Sequence, residues 1–213
     1  MPEWPKGAAC KVAGVRLRRF EPSSRHKKEM QITGSLVYLR PYEIDDARAL
    51  LDLRMRNLDF FRPWEPIPAM EPARTLDAQR KTIEQMIIQA SRDLSYSYGI
   101  FAVDDDRLVG QIRLTQIFRG PLQRAIVGYF IDEAETRKGF ATEALQLAIK
   151  LAFGELQLHR VEAGAMPRNI ASNRVLVKAG MRPEGYAPRY LEINGVWEDH
   201  NIFGLTAEEL PAG

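Results

Sequence analysis

A short basic turn near the middle of the sequence has the residue types of a phosphate-binding site. Arg137 and Lys138 supply positive charge, and Gly139 has no side chain to keep a ligand away from the backbone. Phe140 and Thr142 lie in the first turn of a predicted helix, where backbone N–H groups have no partner within the helix. The helix dipole adds partial positive charge at the same end. These features favour binding of a pyrophosphate.

Two regular elements must position this turn. The apolar run from Ala125 to Ile131 is rich in β-branched and aromatic residues and predicts a buried strand. After the turn, apolar residues recur at the spacing of one helix face, namely Ala141, Ala144, Leu145, Ala148 and Ala152. Gly154 is a plausible end of that helix.

The turn by itself has a second interpretation, which is an ordinary strand-to-helix connection with solvated basic residues. Two well-known nucleotide motifs are excluded. The sequence has no G-x-x-x-x-G-K-[ST] P-loop. The turn also holds only one glycine, so the G-x-G-x-x-G dinucleotide fingerprint is absent.

Composition sets broad limits on the class of protein. The 213 residues fit one domain, or one domain with an appendage, and 45% hydrophobic and 27% charged residues are ordinary for a globular chain. A net charge of +2 is too small to indicate nucleic-acid binding. No apolar run reaches the ~20 residues of a membrane span. The single cysteine, Cys10, fits a reducing cytoplasmic location.

Positive charge is concentrated at the N-terminus. Residues 1–30 contain eight Lys or Arg and three Glu, a local charge of +5. One interpretation is a basic arm that contacts RNA or a ribosomal surface. The other, which we favour, is an extension with local structure or none, including a possible extra strand over Lys11–Phe20. We therefore divide the chain into an extension over 1–35 and a folded domain over 36–213.

The rest of the chain predicts a mixed sheet with helices on both faces, an α/β domain. In chain order the pattern predicts a strand from Leu36, helices over Glu43–Asn57 and Thr75–Ser91, strands over Ser97–Val103, Arg107–Ile117 and Ala125–Ile131, the central helix, a strand over His159–Met166, a helix over Asn169–Ala179, and strands over Met181–Tyr190 and Val196–Leu205. The central helix must join two parallel strands, because such a crossover needs about a dozen residues.

Two motifs resemble those of the GNAT N-acetyltransferases. The turn is similar to their acyl-CoA loop, [QR]-x-x-G-x-[GA], with Gly139 and Ala141 in the small positions and Thr136 where the family has Arg or Gln. The segment PRNIASNRVLVKAGMRPEG is similar to N-x-x-[AS]-x-x-x-[YL]-x-x-x-G-[FM]. The LHRVEA, RYLEING, VWEDHNIFGL and RPWEP segments resemble the RimJ/RimL type, which acetylates N-termini of ribosomal proteins. The resemblance covers Leu36 to about Leu205.

The resemblance implies a mostly antiparallel sheet with a splayed parallel strand pair and acetyl-CoA in the gap. In such a site, Gly128 would form a bulge, and the N–H groups of Tyr129, Phe130 and Ile131 would face the thioester. The pyrophosphate would lie on the loop from Arg137 to Thr142. Asn169 would hold the pantetheine arm, or cap its helix, and both roles can coexist.

The implied reaction is direct attack of an amine on the thioester. Leu176 occupies the position where many GNAT enzymes have an acidic Tyr, so Ser172 is the predicted acid. Glu192 and Glu65 are candidate bases, acting directly or through water. The three histidines and the single cysteine give no metal-ligand spacing, and His159 and His200 are predicted to be structural.

The acceptor class can be weighed by pKa. A peptide α-amino group is roughly a tenth neutral at pH 7, whereas a lysine amine is neutral less than about one time in a thousand. We therefore expect a protein N-terminus, with Trp64, Tyr190 and Glu192 lining its groove, although Trp64 could instead anchor the loop in the core. A small amine acceptor (polyamine, amino sugar, amino acid or antibiotic) and a weakly active CoA-binding module are the alternatives. A monomer and a homodimer are both compatible with the sequence.

Overall fold

A computed structural model describes residues 31–66 and 74–210 of the chain. The predicted strand over Lys11–Phe20 and the basic segment lie outside the described residues. Within them, the strands are β1 Ile32–Thr33, β2 Val37–Pro41, β3 Tyr96–Ala102, β4 Leu108–Phe118, β5 Arg124–Ile131, β6 Arg160–Ala165, β7 Arg182–Ile193 and β8 Val196–Thr206. The α-helices are α1 Ala47–Arg56, α2 Leu58–Phe61, α3 Leu76–Ser91, α4 Phe140–Phe153 and α5 Ile170–Lys178.

The described strands form one eight-stranded sheet in the order β1-β2-β3-β4-β5-β6-β8-β7. All neighbouring strands are antiparallel except β5 and β6, which α4 connects. This confirms the predicted mixed α/β fold and its single parallel pair. The sheet also extends further toward the N-terminus than the sequence pattern indicates, since β1 precedes Leu36.

Helices cover both faces of the sheet. Ile100 of β3 packs in a large buried cluster with the apolar face of α4. Its neighbour Phe101 packs in a second cluster with Leu50 of α1 and Ile83 of α3. Because successive side chains of a strand point to opposite faces, the two clusters lie on opposite sides of the sheet. No helix of the described residues is long and apolar enough to cross a membrane.

Local signals in the sequence placed most element ends correctly. Thr75 caps α3, its Oγ1 accepting from the Ala78 N–H at 3.2 Å. Gly180 has φ +97° just after α5. Asn194 and Gly195 have φ +52° and +82°, as a type I′ hairpin turn requires.

One predicted helix is shorter than expected. The segment over Glu43–Asn57 begins with a 3₁₀ turn at Ile44–Asp46, and α1 starts only at Ala47. Asp46 accepts from the Glu43 N–H at 2.8 Å and forms a bidentate ion pair with Arg40 at 2.7 Å. This carboxylate holds the chain in a tight turn where it leaves β2, which delays the α-helix.

Candidate active site

A wedge opens in the sheet between β5 and β6. The two strands pair only where Arg124–Ile126 lies beside Arg160–Glu162. Beyond Ile126, β5 continues to Ile131 paired with β4 alone, and β6 continues to Ala165 paired with β8. The expected splayed pair is therefore confirmed, and it leaves backbone groups of β5 facing an open gap.

Alternation along β5 identifies which backbone groups face this gap. The Asp132 N–H donates to the Val109 carbonyl of β4 at 2.8 Å. Because successive N–H groups of a strand point to opposite sides, Tyr129 and Ile131 direct theirs away from β4 and into the gap. The N–H of Phe130 points toward β4. The Phe130 ring packs on the Phe61 ring, with 4.8 Å between the ring centroids.

The prediction of a bulge at Gly128 is wrong. Gly128 pairs with Arg113 of β4 in a continuous register, and the irregularity between these strands lies between Thr115 and Phe118. Gly128 is exposed, and a Cβ atom added there would meet nothing within 4 Å. Its missing side chain therefore leaves open space on the α1/α3 face of the sheet, beside the gap.

A bulge occurs instead in β7. Ala187 pairs with His200 and Leu191 pairs with Glu198, so between these two pairs β7 contains two more residues than β8. Arg189 has φ +49° there, and its N–H donates to Asp199 at 2.7 Å. The sequence gives little sign of this bulge, because Arg189 is not a residue type that favours a positive φ.

The turn after β5 combines two left-handed residues with an open helix end. Arg137 has φ +65° and Gly139 has φ +92°, and Gly139 precedes the first residue of α4 without any side-chain cap. The N–H groups of Phe140, Ala141 and Thr142 form the first turn of α4 and lack intrahelical partners. These N–H groups thus stay available to an external acceptor.

Ion pairs hold this turn at both ends. The Asp132 carboxylate accepts from Arg56 at 2.7 and 2.5 Å and from Asn57 at 3.1 Å. Burial acts to raise the pKa of the Asp132 carboxyl, but the hydrogen bonds from Arg56, Asn57 and the Ala134 N–H together outweigh it, so the pKa is lowered. Glu135, also buried, pairs with Arg107 and with Lys138, each at 2.9 Å. The Lys138 ammonium is thus engaged within the turn, while the Arg137 side chain is exposed.

Glu143, in the first turn of α4, ties the helix to the start of β2. Its carboxylate accepts from the N–H groups of Ser35, Leu36 and Val37 at 2.8, 2.7 and 2.8 Å. The periodicity of the sequence places Glu143 only on the polar side of its helix. The contact is with residues more than 100 positions away, which the pattern along the helix cannot show.

Ser172 and Tyr129 meet across the wedge. The Tyr129 hydroxyl lies 3.1 Å from Ser172 Oγ, joining β5 to the first turn of α5. Burial raises the pKa of Tyr129 to about 12, although the Ser172 hydroxyl lowers it. The predicted cap is also present, since Asn169 Oδ1 accepts from the Ser172 N–H at 3.0 Å. Leu176, at the position of the usual acidic Tyr, is buried in the core.

The predicted acceptor-side residues fall on two segments that touch. The Asn194 side chain donates to the Arg62 carbonyl at 2.7 Å, which joins the β7–β8 hairpin to the loop after α2. In that loop, the half-buried Trp64 ring lies 5.1 Å from the Arg168 guanidinium, and Glu65 pairs with Arg54 at 3.4 Å.

On the hairpin, Glu192 is exposed, and its side chain makes no hydrogen bond or ion pair with any described residue. The Tyr190 ring lies 5.3 Å from His200 and beside Gly164 of β6. The side chain of His200 is buried and lies 3.0 Å from the Glu198 carbonyl, whereas His159 pairs with Glu208 at 2.9 Å. Both histidines thus have structural partners. Residues 31–66 and 74–210 contain no group of His, Cys, Asp and Glu arranged to hold a metal.

A parallel strand pair that splays beside an open helix end is the arrangement of an acyl-CoA-dependent acetyltransferase. The family model for the acetyltransferase (GNAT) domain matches residues 37–182, and the chain belongs to this family.

Individual relatives extend this comparison. The chain is 47% identical to the probable N-acetyltransferase YjcK of Bacillus subtilis over 82% of its length and 96% of that protein. It is 29% identical to the [ribosomal protein uS5]-alanine N-acetyltransferase of Escherichia coli, over 87% of the chain and 95% of that enzyme. The structure of Mycobacterium smegmatis RimJ in complex with CoA-disulfide aligns with a TM-score of 0.79 and 33% identity, covering 84% and 88% of the two chains.

Proposed function

We propose that this acetyltransferase modifies the N-terminal α-amino group of a protein, such as a ribosomal protein. The observation that carries the proposal is the wedge, which opens beside Gly128 onto the α1/α3 face of the sheet, where an extended chain end can enter. The relative named for uS5-alanine acetylation supports a protein acceptor.

Acetyl-CoA is the proposed acetyl donor, and the residues present fit it. The Tyr129 and Ile131 N–H groups would face its thioester end, with Phe130 between them holding the strand against β4. The turn from Arg137 to Thr142 would hold the pyrophosphate, because its N–H groups are open and Gly139 leaves the backbone accessible. Bound acetyl-CoA supplies a thioester carbonyl that an amine can attack.

Ser172 is the proposed proton donor to the departing thiolate. Tyr129 remains protonated at neutral pH, because its pKa is raised to about 12, so its hydroxyl can fix the position of Ser172 Oγ through their hydrogen bond. The sequence identified the backbone of Tyr129 as a binding group but not its side chain as the partner of Ser172. Asn169 would hold both the pantetheine arm and the N-terminus of α5.

Glu192 is the better placed of the two candidate bases. The Glu65 carboxylate is paired with Arg54, whereas Glu192 has no described partner and projects from the hairpin. An exposed carboxylate can attract a cationic N-terminus and receive its proton through water. An α-amino group needs little help, since roughly a tenth of it is neutral at pH 7.

The deciding experiment measures thiol release from acetyl-CoA over a panel of N-terminal peptides, polyamines, amino sugars and free amino acids. Mass spectrometry then locates the acetyl group. We expect acetylation at the peptide α-amino group, and no transfer to a lysine side chain of the same peptide. Preferred transfer to a small amine would replace this proposal, and thiol release at the rate of background hydrolysis with every acceptor would indicate a CoA-binding module.

A further inference from the structure

Arg113 is a cationic residue of β4 that the proposed reaction does not use. Its neighbours Ile112 and Leu114 are buried in the cluster that packs on α4, so Arg113 points to the opposite face, toward α3. Its guanidinium makes no hydrogen bond or ion pair with any described residue. By contrast, Arg54 and Arg124 on the same face pair with Glu65 and Glu162.

The Arg113 side chain is exposed in a cleft whose lining includes no carboxylate. The cleft has a volume of about 230 Å³ and is lined by Thr82, Gln85, Met86, Gln89, Ser95 and Arg113. Arg113 is the only charged residue in this lining. Partial burial lowers the pKa of Arg113 and the charge of Arg54 lowers it further, while the Glu65 carboxylate, which pairs with Arg54, acts in the opposite direction. Such a cation gains free energy when an anion binds beside it.

A second polar group near Arg113 is buried and lacks a partner among the described residues. Ser97 of β3 pairs in register with Arg113, so the two side chains share one face of the sheet. The Ser97 hydroxyl is buried and has no hydrogen-bond partner among the described residues. Ser97 does not line the cleft, so the exposed Arg113 guanidinium is the group that can donate to a carboxylate or phosphate.

The cleft adjoins the point where the acceptor amine would react. Arg113 pairs with Gly128 across β4 and β5, and neighbouring strands lie about 4.8 Å apart. Nothing lies within 4 Å of the position that a Cβ atom would take at Gly128, so the sheet surface next to Arg113 is open at that point. Tyr129, the next residue, contacts Ser172 in the wedge. An acceptor that presents its amine in the gap therefore extends over Gly128 toward Arg113.

We propose that Arg113 binds an acidic group of the acceptor and thereby selects acceptors with a carboxylate or phosphate near the reacting amine. The inference rests on the proposed function, which places that amine in the gap. An extended peptide advances about 3.3–3.6 Å per residue, so the acidic side chain should lie within the first three residues. A planar guanidinium can bind a carboxylate through two parallel hydrogen bonds.

The test compares acetylation of peptides that carry Asp or Glu at one of positions 1–4 with their Asn or Gln counterparts. With the unmodified protein, we expect kcat/KM to be ~10-fold higher for the acidic peptide at the preferred position. Arg113→Gln should remove this ratio, and Arg113→Glu should favour a lysine at that position. Arg48→Gln is the charge-matched control, because Arg48 is exposed on α1 and its one ion pair among the described residues is with Asp52.

Calorimetric CoA affinity and thermal unfolding confirm that the variants are folded and bind the donor. Equal rates for acidic and amide peptides, or an acidic preference that survives in Arg113→Gln, would overturn the assignment. A third outcome is that free amino acids are acetylated, in a reaction that depends on Arg113, while no peptide is. In that case the role of Arg113 in binding an acidic group stands, and the proposal of a protein acceptor is wrong. Phosphoserine peptides included in the panel distinguish a phosphate from a carboxylate.

Discussion

The two sides of the wedge are built in different ways. On the side where we propose that the donor binds, residues 132–143 offer backbone N–H groups, and the charged side chains of Asp132, Glu135 and Glu143 are engaged with other parts of the chain. On the proposed acceptor side, Glu192 and Tyr190 project from an exposed hairpin. The proposed donor side is thus held by buried contacts, whereas the proposed acceptor side offers side chains.

This difference indicates how the two sides can change. A site built from backbone N–H groups keeps the same ligand when many of its side chains are substituted, provided that the left-handed residues and the open helix end are retained. A side-chain site changes its ligand with single substitutions. Substitutions on the donor side should therefore have large effects that do not depend on the acceptor, and those on the acceptor side should have smaller effects that do.

The largest effect is expected for Gly139→Val. Gly139 has φ +92°, and a Cβ atom would lie 3.2 Å from Leu36 Cδ1, so the turn must rearrange. Calorimetry should detect no CoA binding while circular dichroism shows a folded protein. Gly120→Val is the matched control, with φ +67° in an open turn at the other end of β5. Unchanged CoA affinity in Gly139→Val would show that the donor site is elsewhere.

Ser172→Ala should slow turnover by about 100-fold, the lower range of what a positioned acid contributes, and leave CoA affinity within a few fold. Tyr129→Phe should slow turnover less, because it removes only the hydrogen bond that positions Ser172. The two losses should not add in the double variant, since both act through one proton. Stopped-flow single-turnover rates provide the measurement. A Ser172→Ala enzyme as fast as the unmodified protein would remove Ser172 from the reaction.

Asp132→Asn should destabilise the fold by about 2 kcal/mol at pH 7, measured by urea denaturation, because it breaks a buried charge pair at the turn. The folded-state pKa of Asp132 is lowered, so its contribution is present above pH ~4 and is lost as the pH falls through the folded value. The difference between the two proteins should therefore shrink in acid. Asp59→Asn, at an exposed ion pair, should change stability little.

The smallest effect is expected for Glu192→Gln. An exposed carboxylate contributes little to binding, so the KM of a peptide acceptor should rise about two- to five-fold while CoA affinity stays the same. Initial rates at saturating acetyl-CoA reveal this change, with Glu84→Gln on α3 as the control. A fall in turnover of about 100-fold or more would show that Glu192, as the base, contributes more to the rate than an α-amino acceptor is expected to need.

The sequence predicted those features that depend on neighbouring residues along the chain. The α4 face, the Thr75 and Asn169 caps and the Asn194-Gly195 turn are all local signals, and the structure confirms them. The two GNAT motifs were recognised for a similar reason, because each is a continuous segment.

Features that depend on contacts between distant segments were missed. Two of them join residues far apart in the chain, namely the Glu143 contact with residues 35–37 and the Tyr129–Ser172 hydrogen bond. The third, the β7 bulge, needs a backbone conformation that Arg189 does not favour. Gly128 shows the limit most directly. A glycine within a strand indicates either a bulge or open space, and only the neighbouring strands decide between them.

The Glu143 contact also bears on how donor affinity should respond to ionic strength. A carboxylate in the first turn of a helix offsets the helix dipole. The Glu143 carboxylate is held in this position by hydrogen bonds from the N–H groups of Ser35, Leu36 and Val37, at the start of β2. Long-range attraction of an anion to α4 is therefore already weakened before any ligand arrives. Under the proposed function, retention of the diphosphate then depends on short, directional hydrogen bonds, which added salt screens poorly.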